Sequence, residues 1–79
     1  MRFIKDIPNE YCQTSLYFFN NKYIIKFEAG LLEQTYKVSE LDISNEEMLL
    51  ASLDDAFYRS VIERFKSMAQ DFERIIEYS

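Results

Sequence analysis

The chain has 79 residues, one cysteine, no histidine and a formal net charge of −5. That leaves room for one domain and excludes an intrachain disulfide, a Cys/His zinc cluster and any histidine-dependent catalytic triad. No apolar run approaches the roughly 18 residues of a membrane-spanning helix, and Arg2, Lys5 and Asp6 interrupt any signal-peptide core, so the expectation is a cytoplasmic protein without membrane association.

Seven Phe and six Tyr within a composition that is 48% hydrophobic let a short chain build a core without covalent staples, because an enclosed ring hides roughly 150 to 250 Å². The charge is uneven. Residues 28 to 55 carry Glu28, Glu33, Glu40, Asp42, Glu46, Glu47, Asp54 and Asp55 against Lys37 alone. Nucleic acid is therefore not an expected partner, since nonspecific binding needs a basic footprint that releases counterions.

In chain order, Arg2 to Lys5 alternates around Phe3 and reads as an edge strand or an ordered arm, ended by Pro8-Asn9. Residues 14 to 19, TSLYFF, form the first clear strand. Asn20-Asn21 follows as a turn whose residues tolerate positive φ. Residues 22 to 28 place Tyr23, Ile25 and Phe27 on one face with Ile24 as the apolar exception on the other. Ala29-Gly30 supplies the next reversal, and residues 31 to 38 put Leu32, Gln34, Tyr36 and Val38 on one side and Leu31 on the other. Short connections make these strands an antiparallel meander. Gln34 is the odd member of its face, which implies that the cover frays there or that its amide meets a tyrosine hydroxyl.

Ser44 and Glu47 match a capping box, and Ile43 with Met48 occupy hydrophobic-staple positions. A short helix over about 45 to 53 is expected, with Met48 and Leu49 packed. At Asp54-Asp55 a kink with a new N-cap is preferred over one continuous helix. From 55 to 78, Tyr58, Val61, Phe65, Met68, Phe72 and Ile75 recur at 3-4-3-4-3 spacing. Arg59-Glu63 and Asp71-Arg74 are spaced for ion pairs on the outer side. The fold class is thus α+β: a three-stranded antiparallel meander, with the N-terminal segment as a candidate fourth edge strand, packed on a short helix and a long C-terminal helix. A helix of about 24 residues is roughly 36 Å long against about 20 to 23 Å for these strands, so part of the apolar stripe should overhang.

Evidence of chemistry is thin in the residues. Cys12 has no certain cationic neighbour to activate it. Lys22 and Lys26 belong to the solvent face of a strand, where their expected role is solubility and edge protection. The acidic pairs Glu46-Glu47 and Asp54-Asp55 sit where first-turn carboxylates complement the helix dipole, and the loop LDISNEE lacks the glycine of an EF-hand. Gly30 alone cannot make a phosphate loop. No catalytic, cofactor-binding or metal-binding residue is expected. The expected role is a small acidic non-enzymatic interaction or regulatory module, acting on a protein partner or as a homodimer. Its candidate interface residues are Tyr17, Phe19, Ile24 and Leu31 on the sheet and Tyr58, Phe65, Phe72 and Ile76 on the long helix. The alternatives are an acidic DNA mimic that blocks a nucleic-acid-binding protein and a small carboxylate-based or metal-dependent enzyme.

Overall fold

Strands β1 (Arg2–Asp6), β2 (Gln13–Phe19), β3 (Lys22–Ala29) and β4 (Leu32–Ser39) pair antiparallel in chain order. A 3-10 turn over Glu40–Asp42, helix α1 (Glu46–Ala51) and helix α2 (Asp55–Glu77) follow. The computed structural model describes all residues from Met1 to Ser79. The α+β meander expected from the pattern is present, and the N-terminal segment is a true fourth strand.

Turn chemistry sets the register. Asn20 and Asn21 both have positive φ, 54° and 62°, the type I′ pattern that follows the right-handed twist of the flanking strands. At the next reversal Gly30 has φ +61° and empty space around its Cβ position, so backbone conformation, not crowding, calls for glycine there. The turn pair is Gly30-Leu31, one residue later than the sequence suggested. Ala29 stays in β3, and β4 begins at Leu32.

Cross-strand partners share a face. Thr14, Phe27 and Gln34 align, as do Leu16, Ile25 and Tyr36, and then Phe18, Tyr23 and Val38. These rows form the inner face, covered by the helices. Ser15, Lys26 and Thr35, then Tyr17, Ile24 and Lys37, then Phe19, Lys22 and Ser39 form the outer face. In β1 the register shifts between Phe3 and Lys5. Phe3 therefore stands beside Tyr17 on the outer face, whereas Lys5 lies beside Leu16 on the inner side, and the intervening Ile4 packs against the core. The bulge allows Lys5 to reach Glu46 of α1 at 3.8 Å.

The core joins Leu16, Ile25 and Phe27 of the sheet to Leu49 of α1 and Tyr58, Val61 and Phe65 of α2. Phe27 is fully enclosed, with the rings of Phe57 and Tyr58 each 5.7 Å away and Tyr36 at 6.2 Å. Such tilted and edge-on pairs add to simple area burial.

Both helices are capped, but not as the capping box implies. Asn45, not Ser44, is the α1 N-cap, and its Oδ1 accepts from the Met48 amide at 2.8 Å. Leu49 is buried as expected, but Met48, about 100° away around the helix, is exposed, not packed. The Ile43–Met48 staple is lost with it. The helix also stops at Ala51, where the Ser52 hydroxyl donates to the Leu49 carbonyl at 2.6 Å. The break before α2 is real: Asp54 is extended and its carboxylate accepts from the Phe57 amide at 2.9 Å.

Gln34 explains itself as a clamp between layers. Its amide donates to the Val61 carbonyl at 2.9 Å and its oxygen accepts from Arg64 Nε at 2.9 Å, so the polar residue on the covered face meets helix backbone, not a tyrosine hydroxyl. Neither Arg59-Glu63 nor Asp71-Arg74 forms an ion pair. Glu63 pairs with Lys66 at 3.2 Å instead.

Replacing the capping side chains tests this local account. Asn45→Ala and Asp54→Ala are each expected to cost about 1 kcal/mol in urea unfolding, whereas Ser44→Ala stays within about 0.5 kcal/mol of the parent. Gln34→Leu is expected to cost about 1 kcal/mol by removing the clamp.

Candidate functional site

The eight candidate interface residues separate into four situations. Tyr58 and Phe65 lie in the core, because the first half of α2 is the part that covers the sheet. They offer no surface for a partner. Leu31 is 85% exposed but sits on the β3–β4 turn, several residues from Ile24 along β3, so it does not join the patch around Ile24. Tyr17, Phe19 and Ile24 share the outer sheet face. Phe72 and Ile76 lie on the far end of α2, with Phe72 half-buried and Ile76 exposed.

Tyr58 belongs to a polar hub that the sequence pattern did not disclose. Thr14 is buried, and its hydroxyl accepts from the Tyr58 hydroxyl and from Asn9 Nδ2, both at 3.0 Å, while donating to the Cys12 carbonyl at 3.3 Å. One donor and two acceptor sites are all that a threonine has, so the group is satisfied. Asn9 Oδ1 accepts from the amides of Tyr11 and Cys12, at 2.8 and 3.0 Å, the side-chain turn expected of an asparagine after Pro8. Tyr11 stacks on Tyr58 with centroids 5.2 Å apart and donates to Asp55 Oδ1 at 3.2 Å. Burial pushes the Tyr11, Tyr58 and Cys12 pKa values up, with the Asp55 carboxylate adding to the effect on Tyr11. A raised thiol pKa makes Cys12 a poor nucleophile. The hub fastens loop to sheet to helix, and it is structural.

The outer sheet face is different. It has no helix over it, yet Ile24 is only 5% exposed. An open depression of about 550 Å³ surrounds it, bordered by Met1, Phe19, Lys26, Glu33 and Lys37. Phe3 packs edge-on against Tyr17 with centroids 5.6 Å apart, and Lys26 Nζ stands 5.3 Å over the same tyrosine ring. Phe3 and Phe19 remain more than half exposed. Lys22, Lys37 and Lys26 succeed one another from the β2–β3 turn toward the sheet centre, while Glu28 and Glu33 pair across the opposite end, and Asp6 lies beside Ser15. Lys26 reaches Glu33 at 3.8 Å, and the Ser15 hydroxyl donates to Asp6 at 3.2 Å. The face is polarised along the strands. The alternation around Ile24 signalled an outward apolar residue, but the grouping of Phe3 with Tyr17 depends on the β1 bulge, which leaves no mark in a single sequence.

At the other end of the molecule α2 runs past the sheet. Its 23 residues span about 35 Å, against roughly 24 to 27 Å for seven- and eight-residue strands. Leu32, Met68, Asp71, Phe72 and Ile75 border a small cavity at the β3–β4 end. Ile75 on its rim is 63% exposed, and beyond it Ile76 is 61% and Tyr78 81% exposed.

No three Cys, Asp or Glu side chains are grouped to hold a metal ion, and no helix is long and apolar enough to cross a membrane. Compared with protein-family models, curated proteins and solved structures, the chain matches none.

The raised tyrosine pKa values give a signed pH dependence. The folded state holds these protons more tightly than the unfolded chain, so their contribution is complete below the ordinary tyrosine range near 10. It is lost as pH rises through the folded values. Unfolding free energy should fall as pH rises above about 10, with tyrosinate absorbance appearing late for Tyr11 and Tyr58. Tyr58→Phe removes one late-titrating group and flattens the alkaline limb.

Proposed function

We propose that the chain is a small non-enzymatic protein-interaction module whose docking element is the projecting end of α2. One observation carries this reading: the apolar stripe that builds the core through Tyr58, Val61 and Phe65 reaches the end of the sheet at Leu32 with Phe72 and Ile75, and Ile75 and Ile76 remain exposed there. Apolar side chains grouped on one flank of a helix cost free energy in water and release it when a groove receives them. Helix-in-groove recognition uses this 3-4 spacing of anchors. Asp71, Glu73, Arg74 and Glu77 would form the polar rim of such a contact.

The DNA-mimic reading has less support. Its requirement is a continuous acidic surface, but Lys26 pairs with Glu33 and Lys5 with Glu46, and Glu28 and Glu33 share their sheet face with three lysines. A carboxylate-based enzyme has no gathered acid cluster in its favour.

Ile76→Asp and Tyr78→Ser alter exposed positions and should change unfolding free energy by no more than about 0.5 kcal/mol. Affinity capture with the parent and Ile76→Asp chains in parallel, followed by reconstitution from purified components, tests the reading. A protein bound by the parent at least tenfold more tightly than by the variant is expected. Equal binding of every captured protein by the two chains overturns it.

A further inference from the structure

The outer sheet face carries a second, independent feature: its charges are complementary to themselves. Lys22 and Glu28 stand at opposite ends of β3, about 20 Å apart at 3.3 Å per residue, too far to pair within one chain. Both side chains point to the outer face. On β4, Glu33 stands level with Glu28, whereas Lys37 lies one row in from Lys22, beside Ile24; Tyr17 and Ile24 lie between the charged ends and Phe19 stands beside Lys22. With three lysines (Lys22, Lys26, Lys37) and three acids (Asp6, Glu28, Glu33), the face has no net charge although the whole chain is at −5.

We propose that this face binds a second copy of the same chain, sheet against sheet, about a two-fold axis that lies in the contact plane and crosses the strands. That rotation reverses the strand direction and keeps each strand over its equivalent. It lays Lys22 of one chain over Glu28 of the other, twice, and sets Lys37 over the small Thr35. A two-fold axis parallel to the strands would instead lay the basic end of the face over the basic end and the acidic end over the acidic end, so charge selects between the two ways of stacking. The central rows then bring Ile24 and Tyr17 against the aliphatic stem of Lys26 and the small Ser15 and Thr35. Phe3 and Phe19 gain cover at the rim. A nucleic acid strand fits less well, because half of the ionised groups on this face repel phosphate.

Area sets the strength. Four strands at about 4.8 Å spacing and 25 Å length offer roughly 480 Å² per face, well under the approximately 800 Å² per partner of a standard interface. The dimer is therefore weak, concentration-dependent and salt-sensitive, and it forms and dissolves over a physiological range of concentration.

Sedimentation equilibrium from about 10 μM to 1 mM, the range in which so small a contact associates, tests it. The parent mass should rise toward twice the monomer. Lys22→Glu and Glu28→Lys should each raise the dissociation constant about tenfold, since symmetry counts each change twice, and the double exchange should restore it. Ile76→Asp, which disables the α2 end, should leave the dimer intact, so failure of this contact and failure of the α2 reading are separable. A constant monomer mass overturns the proposal, as does a double exchange that does not recover or a dimer lost only in Ile76→Asp. Binding of a labelled single-stranded oligonucleotide that Lys22→Glu abolishes would assign the face to nucleic acid and overturn it as well.

Discussion

A sheet has two faces, and this chain owns enough helix to cover one. Everything else in the molecule is an adjustment to that shortage. The inner face is sealed by α1 and the first half of α2 around Phe27. The outer face must make itself tolerable to water with its own side chains, and it does so by laying Lys26 over Tyr17 and crowding Ile24 among longer neighbours. Lysine stems are suited to this task because they shelter apolar surface while the ammonium stays wet.

The same shortage has a counterpart in length. α2 is longer than the sheet it lies on, so helical apolar surface is wasted at one end while sheet surface goes uncovered on the other side. A chain selected only for monomer stability would gain by shortening the helix or replacing its last apolar residues with polar ones. Their presence is the physical motive for proposing contacts with other chains at both surfaces. The two assignments differ in character: α2 presents a narrow apolar ridge suited to a groove, whereas the sheet presents a broad polarised plane suited to another plane.

Much of this architecture was legible from residue order. Period-two patterning in β2 to β4 and the 3-4 spacing in α2 read correctly because each is repeated over many residues, so one exception does not disturb it. Features resting on one residue were less secure. Ser44 satisfies the capping-box formula, yet Asn45 is an equally good cap one position later, and local rules cannot choose between them. The Gly30 turn slipped by one for a similar reason, since Ala29 pairs as well with Leu32 as any small residue would. Tyr58 and Phe65 were read as interface residues because a stripe shows which side of a helix is apolar, not which half of it is covered. The Thr14 hub joins residues far apart in the chain, and no short-range pattern announces such a meeting.

That last separation bears on how the chain assembles. The strands pair only with their sequence neighbours through tight turns, so the loops closed in forming the meander are short and inexpensive in entropy. The Tyr58–Thr14 bond and the Tyr11–Asp55 bond each span 44 positions, and they can close only after the helix has docked. In a nucleus built from neighbouring hairpins these bonds arrive after the rate-limiting crest, and they act chiefly as a latch on the exit path: weakening them shortens the lifetime of the native state and leaves the speed of its formation nearly untouched.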